Sequence, residues 1–298
     1  MGKIVSLINL KGGVGKTTTT VALAEFLTFE KGKRVLVIDL DPQTNATVML
    51  INQEVWKKSN EEGKTIHQMF LDKLDNTDKF NINESIIKNV SGVSNGIQGL
   101  DLLPSSIDLL EVQDRIPMIN QLSHFAQSPI TVLASYLTQE IVDKYDFILI
   151  DCPPNLGAIT LNGIFLSDYY LIPVVADILS TYGIPQIKDR ITKVAKDIRA
   201  INRSYDIKPL GIVITKFRVQ SRMHRETKSD LIARSKLSEK DKRHVPEVFS
   251  DYVKETTRVS EATDIDTPIT TLKQKYGYDK EIYNSYLGIT EEFLRRIK

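Results

Sequence analysis

The 298-residue sequence is short of cysteine, of net charge and of long apolar runs. Its single cysteine, Cys152, excludes an internal disulfide framework and fits a reducing compartment. Lys and Arg number 39 against 38 Asp and Glu, so the chain has almost no global field and any affinity for a polyanion has to come from a local patch. No apolar stretch approaches the length that crosses a bilayer, and the chain enters a strand within a few residues of its start, so neither a membrane span nor a secretory leader is expected. With 41% hydrophobic and 26% charged residues the composition is that of a globular protein. The length can bury a sizeable core, and the expectation is one domain over residues 1–298 with a polar insertion at about 51–98.

What the sequence does contain starts with Lys11-Gly12-Gly13-Val14-Gly15-Lys16-Thr17-Thr18. This stretch lies where an apolar strand, Ile4 to Ile8, hands over to a helix from Lys16 to about Phe29. A glycine-rich turn in that context points backbone N–H groups inward, and the helix N-terminus adds partial positive charge, so the turn can hold phosphate oxygens. Lys16 is then placed for the β- and γ-phosphates and the Thr17 hydroxyl for a Mg²⁺ that bridges them. Lys11 departs from a generic loop of this kind, because Leu10 precedes a second lysine inside it.

Two further strands end in acid. Arg34 to Ile38 runs into Asp39-Leu40-Asp41-Pro42-Gln43-Thr44-Asn45-Ala46-Thr47, and the period-two alternation of strand side chains puts Asp39 and Asp41 on the same side. Carboxylates at the carboxyl end of a strand beside a phosphate loop can meet metal and water, the reading favoured for Asp41; a capping role for Asp41 or Thr44 at the next helix is the alternative, and both can hold at once. Phe147-Ile148-Leu149-Ile150 reads as a strand buried on both faces, and Asp151 at its end can hold Mg²⁺ directly or through water. Cys152 beside it reads as a small buried residue.

Tyr169 to Val175 and Leu210 to Lys216 read as more strands, with a helix between them marked by Ile187, Ile191, Val194 and Ile198. The alternation of strands and helices predicts an α/β fold, a doubly wound and mostly parallel sheet flanked by helices. Residues 51–98 are expected to form short surface helices and loops anchored by Trp56, Ile66 and Phe70, not a separate domain. A strand is expected near Leu100, a helical stretch over 109–118, one helix over 130–145 and a brief helix at 291–298. Between Lys216 and Arg243 ten Lys and Arg face four acids, a local surplus that suits phosphate-backbone binding, although a solvated helix face explains it too.

KGGVGKTT, DLDPQ with the following Asn45, Ala46 and Thr47, and DCPP at 151–154 together resemble the deviant Walker A P-loop NTPases, the family of the ParA partition ATPases, MinD and the nitrogenase iron protein. The resemblance implies that Lys16 acts on its own chain's nucleotide and Lys11 on the partner's, across a face-to-face dimer around two ATP. It implies that Asp41 orients or activates the attacking water and that Asp39 supports the Mg²⁺ shell from behind. By the same resemblance Gly12, Gly13, Val14, Gly15 and Thr18 are expected to complete the phosphate loop, and Thr215, Lys216 and Phe217 are expected to border the adenine. Thr257-Arg258-Val259-Ser260-Glu261-Ala262 resembles a family segment whose arginine faces DNA, which makes Arg258 the first candidate for DNA contact, with Arg218 and Arg222 behind it.

Within that family, one cysteine per chain argues against nitrogenase-type chemistry. No helix-turn-helix segment precedes the loop, so no operator-specific binding is expected, and the C-terminus lacks a MinD-like amphipathic anchor. Tyrosines 276, 278, 283 and 286 resemble the terminal cluster of bacterial tyrosine kinases of related fold, but their mixture with Ile282 and Leu287 suits ordinary packing. The expectation is a ParA-type ATPase using ATP and Mg²⁺, a homodimer when ATP-bound, binding duplex DNA without sequence preference and discharged by a ParB-like or adaptor partner. It is expected in the cytoplasm at the nucleoid. A MinD-like membrane-associated ATPase or a kinase-like P-loop enzyme is the alternative.

Overall fold

Ile4 and Ile8 face one side of an extended chain and Val5 and Leu7 the other, and both pairs are buried, so the strand that carries them lies inside a two-sided core. The computed structural model describes residues 2–122, 128–256, 269–277 and 281–297. Its elements in chain order are β1 (Lys3–Leu7), α1 (Lys16–Phe29), β2 (Val35–Asp39), α2 (Asn45–Leu50), α3 (Gln53–Glu61), α4 (Ile66–Asp75), α5 (Ile82–Ser85), β3 (Leu100–Leu103), α6 (Leu109–Gln113) and α7 (Ile119–Leu122). There follow α8 (Val132–Tyr136), α9 (Gln139–Val142), β4 (Phe147–Asp151), α10 (Ala158–Leu166), β5 (Tyr169–Val175), α11 (Ile178–Ile201), β6 (Lys208–Phe217), α12 (Arg222–Ser235) and β7 (Val248–Lys254), then helices Leu272–Tyr276 and Glu281–Arg296.

The strands form one sheet in the order β3-β2-β4-β1-β5-β6-β7, and every pairing is parallel. This is the expected α/β doubly wound architecture, parallel throughout. From β1 the chain moves outward through β2 to β3 on one side and later through β5 to β7 on the other. The change of direction falls at β1 and β4, whose carboxyl ends are where such a sheet offers a ligand crevice.

One face packs on α4, α6, α8, α10 and α11, through side chains such as Phe70, Leu109, Leu133, Ile164 and Ile187. The other packs on α1 and the C-terminal helix. Because α1 lies between sheet and helix it is apolar almost all round, with Val21 to Ala24, Phe26 and Leu27 all buried. Phe26 meets the rings of Tyr276, Tyr283 and Tyr286 at centroid distances of 5.4, 5.2 and 5.9 Å, so these tyrosines are packing residues; Tyr278 lies outside the described residues. At the same seam the buried Glu25 of α1 accepts from Lys275 Nζ (2.7 Å), Ser91 Oγ (2.6 Å) and Tyr276 Oη (2.7 Å).

Two local expectations need correction, and one strand went unexpected. The helix expected over 130–145 is two short helices, because Thr138 takes the extended conformation of an N-cap (φ −67°, ψ 160°) and starts α9 afresh. The terminal helix spans Glu281–Arg296, beginning ten residues before the expected Glu291, and places Ile282, Tyr286, Ile289 and Phe293 on the core at spacings of three and four. Strand β7 had no sequence signal, since Ser250, Asp251 and Lys254 at the sheet's edge interrupt its apolar alternation.

In the 51–98 segment Ile66 and Phe70 are fully buried, and Trp56 is half-buried with its indole N–H donating to the Ser105 carbonyl at 3.1 Å. Met69, Leu74, Phe80, Ile82 and Ile86 join the same core, so the segment is anchored more heavily than its polar composition suggests. Among the described residues no helix is long and apolar enough to cross a membrane.

Candidate nucleotide site and basic region

The loop between β1 and α1 is shaped from both ends. Asn9 donates to the Pro173 carbonyl at 2.8 Å and accepts from the Lys11 N–H at 2.9 Å, which ties the loop's start to β5. Gly13 and Gly15 have φ of 73° and 79°, in the left-handed region that favours glycine, and Gly15 lies beside Thr215, whose side-chain atoms a Cβ there would meet at 3.5 Å, in ordinary contact. Thr215 lies at the end of β6 with its hydroxyl 2.7 Å from the Val14 carbonyl. Lys16 is 6% exposed and turns back across the loop to the Lys11 carbonyl at 3.2 Å. Burial lowers the pKa of its ammonium, against the opposing pull of Asp151 and Asp41.

The loop opens on a cleft of about 450 Å³ lined by Gly12, Gly13, Gly15, Lys16, Thr17 and Thr18, by Asp41, Gln43, Asn45, Val48 and Met49 across from them, and by Pro154 and Lys216. Val14 is buried and does not line it. Polar loop groups on one wall and a carboxylate on the other suit a phosphorylated ligand.

Beneath the loop, Asp39 and Asp151 are register partners at the ends of β2 and β4, both fully buried. The Asp151 carboxylate accepts from Thr17 Oγ1 at 2.7 Å and Thr20 Oγ1 at 3.1 Å. The Asp39 carboxylate accepts from the Asp41 N–H (3.0 Å), the Thr47 N–H (2.9 Å) and Thr47 Oγ1 (2.7 Å). Both carboxyls are pushed above the usual carboxylate range. Burial is the first cause in each, followed by the charge of Asp151 for Asp39; for Asp151 the charge of Asp41 acts against the Thr17 hydrogen bond.

A cation beside such a pair would favour its ionised form. Among the described residues no three His, Cys, Asp or Glu side chains converge on one point, so the protein alone offers no metal cage. One hydroxyl and one carboxylate next to a phosphate-shaped loop fit Mg²⁺, which is held by one or two carboxylates together with ligand phosphates and water. Asp39, with both oxygens already engaged, stands behind this position.

Asp41 is 7% exposed on the cleft wall, and its carboxylate accepts from the Gln43 N–H at 2.9 Å. It does not cap α2, and Thr44, at φ 56°, makes no side-chain cap bond; the bond from the Thr47 N–H goes to Asp39 instead. Lys11 lies at the mouth of the loop, its ammonium 3.3 Å from Asp177 at the end of β5.

Of the three residues expected to border a base, two lie at the loop. Thr215 supports Val14, and Lys216, in the left-handed region at φ 48°, donates to the Gly13 carbonyl at 2.7 Å. Phe217 does not line the cleft: it is buried against Tyr252, at 4.5 Å between ring centroids, and against His224. A second pocket of about 150 Å³ adjoins the loop, lined by Gly15, Thr18, Thr19, Thr215, Lys216, Val253, Lys254, Glu255, Thr256 and Tyr286. Residues 253–256 escaped the sequence reading because the strand that delivers them did.

The basic region is less available than its composition suggests. Arg218 makes a two-pronged contact with Glu255, its Nη2 donating to Oε1 at 3.1 Å and its Nε to the other oxygen. On α12, Arg222 pairs with Glu226 at 2.7 Å and Arg234 with Asp230 at 3.4 Å, each within one turn; beyond it Arg243 pairs with Asp241 at 2.9 Å. Lys228 rests over the Tyr252 ring at 4.1 Å, with its pKa lowered by burial. The first candidate, Arg258, lies outside the described residues.

Comparison with known proteins adds to this geometry. The AAA_31 family, described as an AAA domain, matches residues 2–207. The chain is 32% identical over 216 residues to the sporulation initiation inhibitor protein Soj of Bacillus subtilis, covering 72% of this chain and 73% of that protein. It is 28% identical over 296 residues to the chromosome partitioning protein ParA of Myxococcus xanthus, covering 99% and 89%. The fold also resembles cobyrinic acid a,c-diamide synthase of Mycobacterium smegmatis, solved with a bound ATP analogue and magnesium, with a TM-score of 0.70, 24% identity, and coverage of 99% and 95%.

Proposed function

The chain belongs to the AAA_31 family, as a ParA/Soj-type partition ATPase, and on that premise we propose that it is a Mg²⁺-dependent ATP hydrolase whose ATP-bound homodimer binds duplex DNA without sequence preference. Hydrolysis, stimulated by a ParB-like or adaptor partner, then resets it, and the cycle positions a cargo on the nucleoid in the cytoplasm. The observation that carries the reading is the Thr17–Asp151 bond beneath the glycine loop with Asp41 on the facing wall.

In this reading the loop N–H groups and Lys16 hold the phosphates, Lys16 leaving the Lys11 carbonyl to do so. Thr17 and Asp151 hold Mg²⁺, which when bound supplies positive charge to the β- and γ-phosphate oxygens. Asp39 stays behind them and fixes the backbone at Asp41. Asp41 orients the attacking water, a role of positioning and electrostatics. Lys11 exchanges its contact with Asp177 for the partner's nucleotide, so the dimer depends on the γ-phosphate and ADP does not sustain it. The base sits in the second pocket, beside Thr215 and Lys216.

A single copy of the basic region supports only weak, salt-sensitive binding. Two copies on one face bind at high effective concentration, so affinity rises with dimerisation. The test is a titration with duplex DNA of arbitrary sequence in ATP and in ADP, paired with light scattering. The expected result is a dimer and tight DNA binding in ATP alone; equal binding in ADP would overturn the coupling.

A further inference from the structure

Thr47 is fully buried in the first turn of α2, does not line the cleft, and three hydrogen bonds pass through it. Its N–H (2.9 Å) and its hydroxyl (2.7 Å) both donate to the same oxygen of Asp39. The hydroxyl oxygen in turn accepts from the Ser105 N–H at 3.0 Å, just past the end of β3. The other Asp39 oxygen accepts from the Asp41 N–H at 3.0 Å. One hydroxyl therefore joins the ends of β2 and β3 and the start of α2, and the chain of bonds finishes at the backbone of Asp41.

We propose that Thr47 is a positioning residue for hydrolysis: by holding Asp39 with two donors it fixes the turn that aims the Asp41 carboxylate into the cleft. The inference rests on the hydrolase reading above. A valine here keeps the shape but removes a donor from Asp39 and leaves the Ser105 N–H unpaired, while serine keeps both bonds. With Asp39 under-restrained, the Asp41 turn gains freedom. Because the rate of phosphoryl transfer depends on alignment, the effect falls on kcat more than on ATP affinity.

The test uses the full-length protein with Thr47→Val, Thr47→Ser and Asp41→Ala, alone and combined, in steady-state ATP hydrolysis. Thr47→Val is expected to lower kcat roughly 10- to 100-fold with KM for ATP little changed, Thr47→Ser to restore most of the rate, and Thr47→Val to add nothing in an Asp41→Ala background. A valine variant as fast as the wild type, or one whose effect adds in full to that of Asp41→Ala, would overturn the proposal. Amide hydrogen exchange over residues 41–47 in the ligand-free protein gives a readout independent of turnover. Faster exchange in Thr47→Val supports the anchoring and unchanged exchange overturns it. If the wild type itself does not hydrolyse ATP, the hydrolase reading fails, and the exchange measurement still decides whether Thr47 holds the turn.

Discussion

At the carboxyl ends of β1, β2 and β4, Asp39, Asp151 and Lys16 are buried and each is held by hydrogen bonds with its surroundings, whereas Arg222 on α12 and Arg218 ahead of it are exposed and pair with the surface acids Glu226 and Glu255. In the first region a low local dielectric makes every displaced charge costly, so geometry is fixed before a ligand arrives. In the second, water screens the pairs and their partners are exchangeable, so the surface can trade an acid for a phosphate. In the proposed function the first region serves alignment and the second attraction. Substitutions in the two regions should therefore fail in different ways.

The largest effect is expected at the aligned edge. Asp41→Ala should slow hydrolysis by about 100-fold or more while ATP binding persists, trapping the ATP dimer; near-normal turnover would remove Asp41 from the water. Lys11→Ala should lose ATP-dependent dimerisation and hydrolysis together while the monomer still binds nucleotide. A sedimentation profile showing an intact ATP dimer would end its assignment across the interface.

Next is the buried Glu25–Lys275 pair, which joins α1 to the helix Leu272–Tyr276. Lys275→Met leaves Glu25 uncompensated and should destabilise the fold by about 3 kcal/mol or more, with part of the loss recovered in Glu25→Gln/Lys275→Met. Chemical denaturation of the three variants checks this, and an unaffected single variant would show the pair to be dispensable.

The basic surface should respond more gently and in both directions. Changing Arg218 and Arg222 together to Ala should weaken binding to all DNA sequences and reduce the slope of log affinity against log salt by about one per arginine. Glu226→Gln and Glu255→Gln should strengthen it, because each releases an arginine from its present partner. If neither set changes binding at any salt concentration, these arginines are not on the DNA face.

The smallest effect is electrostatic. The folded-state pKa values of Asp39 and Asp151 are raised, so their contribution to stability is fully present below the ordinary carboxylate value, about 4, and is lost as pH rises through the folded values. Melting curves in a chelator should show the wild type falling behind Asp39→Asn as pH increases, with Mg²⁺ and ATP reducing the gap. Parallel curves would mean that the pair carries no such linkage.

The sequence by itself determined the strand–loop–helix that carries Lys16 and Thr17, the acids that close β2 and β4, and the alternation that makes a parallel sheet. These are local signals, since glycines that take left-handed angles, a run of buried residues and a terminal aspartate each act within a few positions. Only the tertiary structure decided that Asp39 and Asp151 stand side by side, because 112 residues separate these register partners. It alone turned Phe217 into the core, brought β7 to the edge and lined a second pocket with residues 253–256. It also paired Arg218, Arg222, Arg234 and Arg243 with particular acids, since a count of residues carries no information on which acid each one faces. Thr47 shows the same limit from inside the core: in the sequence it is one polar residue among several, and its three hydrogen bonds, two to Asp39 and one from Ser105, are assembled only when β2, β3 and α2 meet.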